Sequence, residues 1–380
     1  MCPNVHFEKH GFDARRFRTG VSLHSHTLHS REPLSFIYRY AKKRWTVRVA
    51  LDRGQRRFAR TNNGNSLDLA RAYWTPPLAA HDAWRLEMGQ IQDGFGLRGL
   101  VSLTDHDDID APMTLRVLPE FADLPISLEW SVPYRATTFH LGIHNLPADD
   151  ARRTMADFAA FTAKPDEDTL RQLLEAVSAD PAVLVVFNHP CWDESEIGHD
   201  QHLRYAVEFC RRFGRWIHAV ELNGMRTWKE NREVIAFADT VGKPVIGGGD
   251  RHGLQPNATL NVTDAAGFAE FAAQVRRGLS EVLFAAHQFE PFALRMLQNA
   301  QDVMADHENH GAGGCDGAIA FSMSVMTVSR ARPANFGARR PRRSHLFEAG
   351  LRALRHPGLR IDLFFLRHRR LRGYLRPRPH

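Results

Sequence analysis

The sequence predicts an α/β fold built on a largely parallel sheet, with its chemistry at the C-terminal ends of the strands, as in a barrel. Three observations predict it. Short apolar runs alternate with helix-like stretches between residues 20 and 280, a pattern that implies strand–helix–strand crossovers. Seven of those runs end in polar residues, and six of the seven end in His, Asp or Glu. Barrels of parallel strands take their functional residues from several different strand ends, so six such endings in one register point to a common site.

Residues 1–19 read as a polar lead-in, and strand one covers 20–26, ending in His24-Ser-His26. Residues 34–80 interrupt the alternation with an inserted helix and hairpin, the hairpin turning at Asn62-Asn-Gly-Asn65. A helix over 77–93 starts after the Trp74-Thr-Pro turn and ends before strand two, 99–104, which leads into Asp105 and His106. Strands three and four, 125–130 and 137–143, carry Glu129 and His140 and leave no room for a helix between them. A helical region follows over 150–178. Strand five, Ala182-Val-Leu-Val-Val-Phe187, is the continuous apolar run expected of a strand buried on both faces, and it leads into Asn188-His189-Pro190. The series continues with a helix at 200–213 and strand six at 217–222, with Glu221 and Asn223 at its end. A helix at 228–241, stopped by Gly242-Lys-Pro244, precedes strand seven at 244–249 and a last helix at 265–278. Residues 1–300 thus form one barrel domain with 34–80 inserted in the manner of a lid. Residues 301–317 are a linker and 318–380 a basic extension, with a strand-like stretch at 318–329 and a basic amphipathic helix pair at 345–372.

With 380 residues, 43% of them hydrophobic and 24% charged, the chain has a globular composition and the length for a large core. The N-terminus lacks the apolar stretch of a secretory signal, and no apolar run approaches the roughly 20 residues of a membrane span. Cys2, Cys191, Cys210 and Cys315 form no Cys-x-x-Cys pair and read as reduced thiols of a cytoplasmic protein. The chain carries +7 overall, but residues 330–380 alone carry +13 from 15 Arg and two acids, so the other 329 residues sum to −6. The insert is also basic: Arg39, Lys42, Lys43, Arg44, Arg48, Arg53, Arg56, Arg57 and Arg60 alternate with Tyr38, Tyr40 and Trp45. Such a surface suits a nucleotide or short oligonucleotide, through backbone charge and base stacking. For the tail, a solvated face and anionic lipid headgroups are the other readings.

On a strand, residues i and i+2 face the same way, so His24 and His26 project side by side, as do Asp250 and His252. With His106, Glu129, His140 and His189 between them, these pairs predict a metal cluster. Mixed imidazole and carboxylate ligation suits Mn, Zn or Fe more than Mg.

The ordered set His24-x-His26-Thr27, Thr104-Asp105-His106-Asp107, Glu129, His140-Leu-Gly142, Asn188-His189-Pro190 and Gly249-Asp250-Arg-His252 resembles the polymerase-and-histidinol-phosphatase (PHP) superfamily of metal-dependent phosphoesterases. The resemblance covers residues 20–255. It implies a distorted (β/α)7 barrel, TIM-like, with two or three divalent ions held by His24, His26, His106, Glu129, His140, His189, Asp250 and His252. The family often has Ser-Asp seven residues after the first histidine, where this chain has Ser30-Arg31. Glu32, one position on, is preferred over His29 as the substitute; with neither, the site holds two ions rather than three. The chemistry expected is attack of metal-bound hydroxide on a phosphomonoester, or on a nucleotide or oligonucleotide end, since coordination lowers the pKa of water to about 7. Asp250 and His252 are candidates for proton handling as well as for ligation. Arg31, Arg251, Arg226 and Asn223 are candidates for substrate binding, with Glu221 beside Asn223. The alternatives are an amidohydrolase-type metal hydrolase, for which Lys243 stands at the wrong strand end, and a degenerate metal-binding module that binds nucleic acid.

Other features carry plainer readings. Gly94-x-Gly96-x-x-Gly99 ends a helix instead of opening one, so it is a helix stop and not a dinucleotide fingerprint. His144 shares a face with His140 and could replace it. Cys191 is a small residue at the pocket edge, and Gly247-Gly-Gly249 lets the backbone pass close to the site.

Overall fold

The computed structural model describes residues 4–33, 73–292 and parts of 38–69 and 294–302; the greater part of the expected linker and all of the basic extension lie outside the described residues. The chain divides into two compact units, one of Met1–Glu32 with Thr75–Phe289, the other of Pro33–Trp74 with the residues from Glu290 onward.

In chain order the elements are β1 (Val5–Phe7), β2 (Thr19–Ser22), β3 (Glu32–Pro33), α1 (Trp45–Thr61), β4 (Tyr73–Trp74), α2 (Ala80–Gly89), β5 (Arg98–Val101), α3 (Asp110–Leu115), β6 (Ile126–Tyr134) and β7 (Thr137–Leu146). They continue with α4 (Ala151–Ala163), α5 (Glu167–Ala179), β8 (Leu184–Asn188), α6 (His199–Phe213), β9 (Ala219–Asn223), α7 (Trp228–Val241), β10 (Val245–Gly248), β11 (Thr259–Thr263), α8 (Phe268–Arg276) and β12 (Val282–Phe284). The alternation of strands and helices matches the expected series closely. Local chemistry explains several boundaries. Thr227 and Glu230 cap the start of α7 reciprocally, and Gly242 closes it in the left-handed region with φ of 67°. Asp166 caps α5 and follows Pro165, so the single helical region expected over 150–178 is two helices.

Four expectations are corrected. The lead-in is part of the fold: β1 pairs with β12, and Val5 and Phe7 are buried. Strands β11 and β12 were not foreseen. In the insert, Thr46–Ala50 belongs to helix α1 and not to a hairpin, and Gly64 follows that helix with φ of 84°, its N–H donating to the Ala59 carbonyl (2.8 Å). Finally, continuous pairing produces two mixed five-stranded sheets, β1-β12-β11-β2-β5 and β10-β9-β8-β7-β6, and not one closed parallel barrel. The β6–β7 connection is only Arg135-Ala136, too short for the crossover a parallel pair needs, so β7 runs antiparallel to β6 and to β8.

The two sheets meet at single bridges, and both bridges lie at strand ends that carry site residues. His106 pairs with Glu129, and Ser25 with Arg251. Backbone bonds flank them: Glu129 N–H to Asp105 O (3.1 Å) and Asp250 N–H to His24 O (2.7 Å). Below these ends, Val21, Leu23, Leu184, Val186, Ala219 and Ile246 from both sheets pack with Phe268 and Phe271 of α8 in one cluster. A second apolar layer lies outside, where Trp130 stacks on Phe158 (3.9 Å) and Phe139, Phe187 and Phe209 meet edge-on or tilted.

Phe7 packs against Trp228 (5.0 Å) and Phe284 (5.8 Å). Phe7→Ala should therefore destabilise the protein by about 3 kcal/mol, as for a buried aromatic, and a urea titration will read it. An unchanged midpoint would return residues 1–19 to the status of a lead-in.

Candidate metal centre

Six strands deliver the predicted residues to one place. His24 and His26 follow β2, His106 follows β5, His189 follows β8, and Asp250 and His252 follow β10; Glu129 and His140, expected near strand ends, lie within the longer β6 and β7. Among the described residues, three overlapping groups of ligand-type atoms lie within 4.8 Å of one another: His24, His26, Glu129 and Asp250; His26, Glu32, His106 and His252; and His106, Glu129 and His140. His189 joins through Glu129, its Nε2 lying 3.0 Å from Oε1. Glu32 is in the cluster, whereas His29 falls in a separate group with Asp108 and Asp110.

The spacings suit a shared ion. Atoms bound tetrahedrally at about 2.1 Å from one metal stand roughly 3.4 Å apart. His24 Nε2 is 3.0 Å from Glu129 Oε2 and 3.6 Å from Asp250 Oδ1, and His26 Nε2 is 3.3 Å and 3.5 Å from the same two atoms. Yet His24 Nε2, His26 Nε2 and Glu129 Oε2 are buried without a single hydrogen bond. Leaving buried polar atoms unsatisfied costs about 1–3 kcal/mol each, so three converging on one point mark a place for a cation. The backbone is also strained there: His24, His189 and Asp250 have φ of 64°, 27° and 56°, values that L residues avoid and that cluster at functional sites.

Around this centre a further layer of side chains fixes the rings and carboxylates. Glu221 Oε1 lies 2.5 Å from His24 Nδ1, and its Oε2 accepts from the His189 N–H (3.0 Å) and from Asn223 Nδ2 (3.0 Å). Asn223 also donates to Asp250 Oδ2 (3.1 Å), which leaves Oδ1 facing the histidines. Asn188 donates to Glu129 Oε1 (2.9 Å), and Ser30 donates to Glu32 (2.9 Å) while standing 3.1 Å from His26 Nδ1. Orienters of this kind fix the tautomer of a metal-binding histidine. They also explain two glycines: a Cβ on Gly248 would collide with Glu221, and one on Gly249 with Asn257.

The substrate candidates divide. Arg251 is 3% exposed and fully engaged: its guanidinium donates to Glu87 Oε1 (2.8 Å), Gly253 O (2.9 Å) and His26 O (2.9 Å). It is a brace between the two ligand-bearing loops, and the expectation of a substrate contact is corrected. Asn223 is buried and spends its side chain on Glu221, Asp250 and the Met225 N–H, so it positions ligands and is not a substrate contact. Arg226 stacks on Trp192, its guanidinium carbon 3.3 Å from the ring centroid. Arg31 is exposed near Asp108. Neither His144, which lies 2.8 Å from Ser102 Oγ, nor Cys191, whose thiol burial pushes up in pKa, takes part. Glu87, Trp192 and Glu194 were missed. Nothing in the sequence pairs Glu87 with a residue 164 positions away, and no motif marks a tryptophan beside a cleft.

Electrostatics follow the same geometry. Burial opposes charge on His26, but the facing carboxylates of Asp250, Glu129 and Glu32 raise its pKa to about 9. His140 is likewise raised to about 9, against burial, by Glu129 and Glu194. Glu129 and Asp250 would be pushed up by burial, yet the histidines hold both well below the usual range. Raised histidines contribute stability that is fully present below about pH 6.5 and lost as pH rises through about 9. Depressed carboxylates contribute stability that is lost on acidification.

Two outcomes follow. Chelator-treated protein should lose thermal stability between pH 6.5 and 9, and metal uptake at pH 7 should release protons from His26 and His140, a release that fades toward pH 10. Calorimetry in buffers of different ionisation heat measures this; zero release at pH 7 would contradict the assignment of these rings. Glu87→Gln should cost about 3–5 kcal/mol, because it leaves Arg251 buried and unpaired, and adding Arg251→Met should restore part of the loss in urea unfolding.

No protein-family profile matches the chain. No curated protein matches it either. Several solved structures align with it, three of which illustrate the likeness. PsfC from Pseudomonas syringae is 16% identical, with 75% of this chain and 98% of PsfC covered at a TM-score of 0.38. An amidohydrolase from Chromobacterium violaceum, with bound sulfate and no metal, is 14% identical over 47% of this chain and 82% of its own, TM-score 0.29. A candidate metal-dependent phosphoesterase from Bifidobacterium adolescentis is 14% identical over 51% and 90%, TM-score 0.32. Likeness at these scores is partial and bears no weight on function.

Proposed function

We propose that this chain is a metal-dependent phosphoesterase of the PHP type, holding two or three Mn, Zn or Fe ions and hydrolysing a phosphomonoester or a nucleotide or oligonucleotide end. The observation that carries it is the convergence of His24 Nε2, His26 Nε2 and Glu129 Oε2, buried, unpartnered and spaced as ligands of one ion, with two further ligand groups sharing their members. The two single bridges support reading β2 and β5–β10 as one ring of seven strands, a distorted barrel.

When bound, the ions supply positive charge to offset that of the phosphoryl group, and they acidify water at neutral pH. The protein's part is to hold the donors rigid and dry. Glu129 is shared between two of the ligand groups, so it ties them together. Asp250 is held by Asn223 with one oxygen toward His24 and His26, which suits a ligand better than a proton carrier. His252 stands at the outer side, Nε2 3.1 Å from Glu32, and keeps the proton-handling role. The amidohydrolase reading is less favoured: Lys243 donates to Gly214 O (2.5 Å) ahead of β10, at the other end of the strand from Asp250.

Elemental analysis of the purified protein, run beside a Mn-supplemented assay on a generic phosphoester, tests the reading. Two or three transition-metal ions per chain with turnover are expected. His24→Ala and Asp250→Ala should each lose metal, and turnover by at least about a hundredfold, while circular dichroism stays native-like. A folded protein with neither metal nor Mn-dependent turnover would sink the proposal.

A further inference from the structure

Beside His140 and His189 the surface is indented, and Thr138, Phe139, Asn188, Trp192, Glu194 and His202 line the same shallow depression. Trp192 is its largest wall. Trp192 is 39% exposed and its ring centroid lies 5.4 Å from that of His189. The residue is held from several sides. Its backbone N–H donates to His189 O (2.9 Å), and Asp193 pins the following turn by accepting from the N–H groups of Ile197 and Gly198. Arg226 covers one ring face at 3.3 Å, anchored by its N–H to Asn223 O and its carbonyl to Gln288. The Arg226 Nε is buried without a hydrogen bond, so the guanidinium is committed to the indole. Trp192 is thus a held, flat surface at the edge of the ligand cluster, with one face backed by charge and part of the side chain exposed.

The other walls say what fits against it. Phe139 is apolar. Both His202 nitrogens are engaged, with Thr137 and with the Pro190 carbonyl. Glu194 puts a carboxylate into the same depression, 3.6 Å from His140 Nε2, which disfavours a second anionic group there. A flat, uncharged ring system satisfies all three. Aromatic side chains stack on any nucleobase because every base has a π face.

We propose that Trp192 is the stacking wall for the leaving group, so that preferred substrates are phosphoesters with a planar ring, such as a nucleobase, on the alcohol side. The proposal rests on the phosphoesterase reading. Arg226 acts through Trp192 as a positioning residue.

The test compares kcat/KM for adenosine 5′-monophosphate and glycerol phosphate in the Mn-loaded enzyme. Trp192→Ala should lower the ratio of the two roughly tenfold, the size of one base–aromatic stack, and Trp192→Phe should keep it within about threefold of the parent. A ratio unchanged in Trp192→Ala, including the case where both substrates fall together, overturns the proposal. Calorimetric binding of adenosine monophosphate against inorganic phosphate gives a readout without turnover. If the parent protein hydrolyses neither ester, the phosphoesterase reading fails. The wall then still predicts a preference for the nucleotide over inorganic phosphate that Trp192→Ala removes, and its persistence in that variant overturns the wall.

Discussion

A carboxylate with no access to water, ringed by five imidazoles, sets the terms for everything around it. Glu129 is 0% exposed and stands within 3.0 to 3.4 Å of His24, His26, His106, His140 and His189. A buried charge of this kind survives only where it is paired and hydrogen-bonded. Strands β2, β5, β7 and β8 must therefore bring their rings to β6 together, each at a set angle. The strained backbone at His24, His189 and Asp250, the glycines that let Glu221 and Asn257 approach, and the Arg251 brace all serve that requirement.

Much of this was legible in the sequence. The residues that end the strands are chemically distinctive, and a period of two on a strand is enough to put His24 beside His26 and Asp250 beside His252. Those residues meet in the structure, and Glu32 meets them too. The strands were legible for the same reason: Ala182–Phe187 is apolar on both faces because both faces are covered. What was illegible depended on partners far away in sequence. Arg251 reads as a free cation in a list of residues, but Glu87 and two backbone carbonyls occupy it. Strands β1 and β12, of three residues each, are too short to show a period, and pairing with each other and with β11 decides their conformation. Antiparallel β7 follows from the two-residue connection Arg135-Ala136, which is legible in the sequence as a gap too short for a crossover.

The same division separates ligand chemistry from substrate chemistry. Ligation needs a few residue types at fixed spacing, so it leaves a signature. Substrate preference comes from walls, and walls are built from ordinary residues such as Trp192, Phe139 and Glu194, whose meaning lies only in what they face.

The bridge between Ser25 and Arg251 has a consequence for the order in which the molecule is made. His26 and Arg251 touch across 225 residues of chain, and the His106–Glu129 bridge depends on the same closure of the two sheets. Contacts of such long sequence separation form slowly and late. A nascent chain holds His24 and His26 for most of its synthesis without Asp250 and His252, which complete their surroundings. The donor cluster is thereby completed only once β10 has emerged, so its members meet as an assembled cage and not on a loose, histidine-bearing thread.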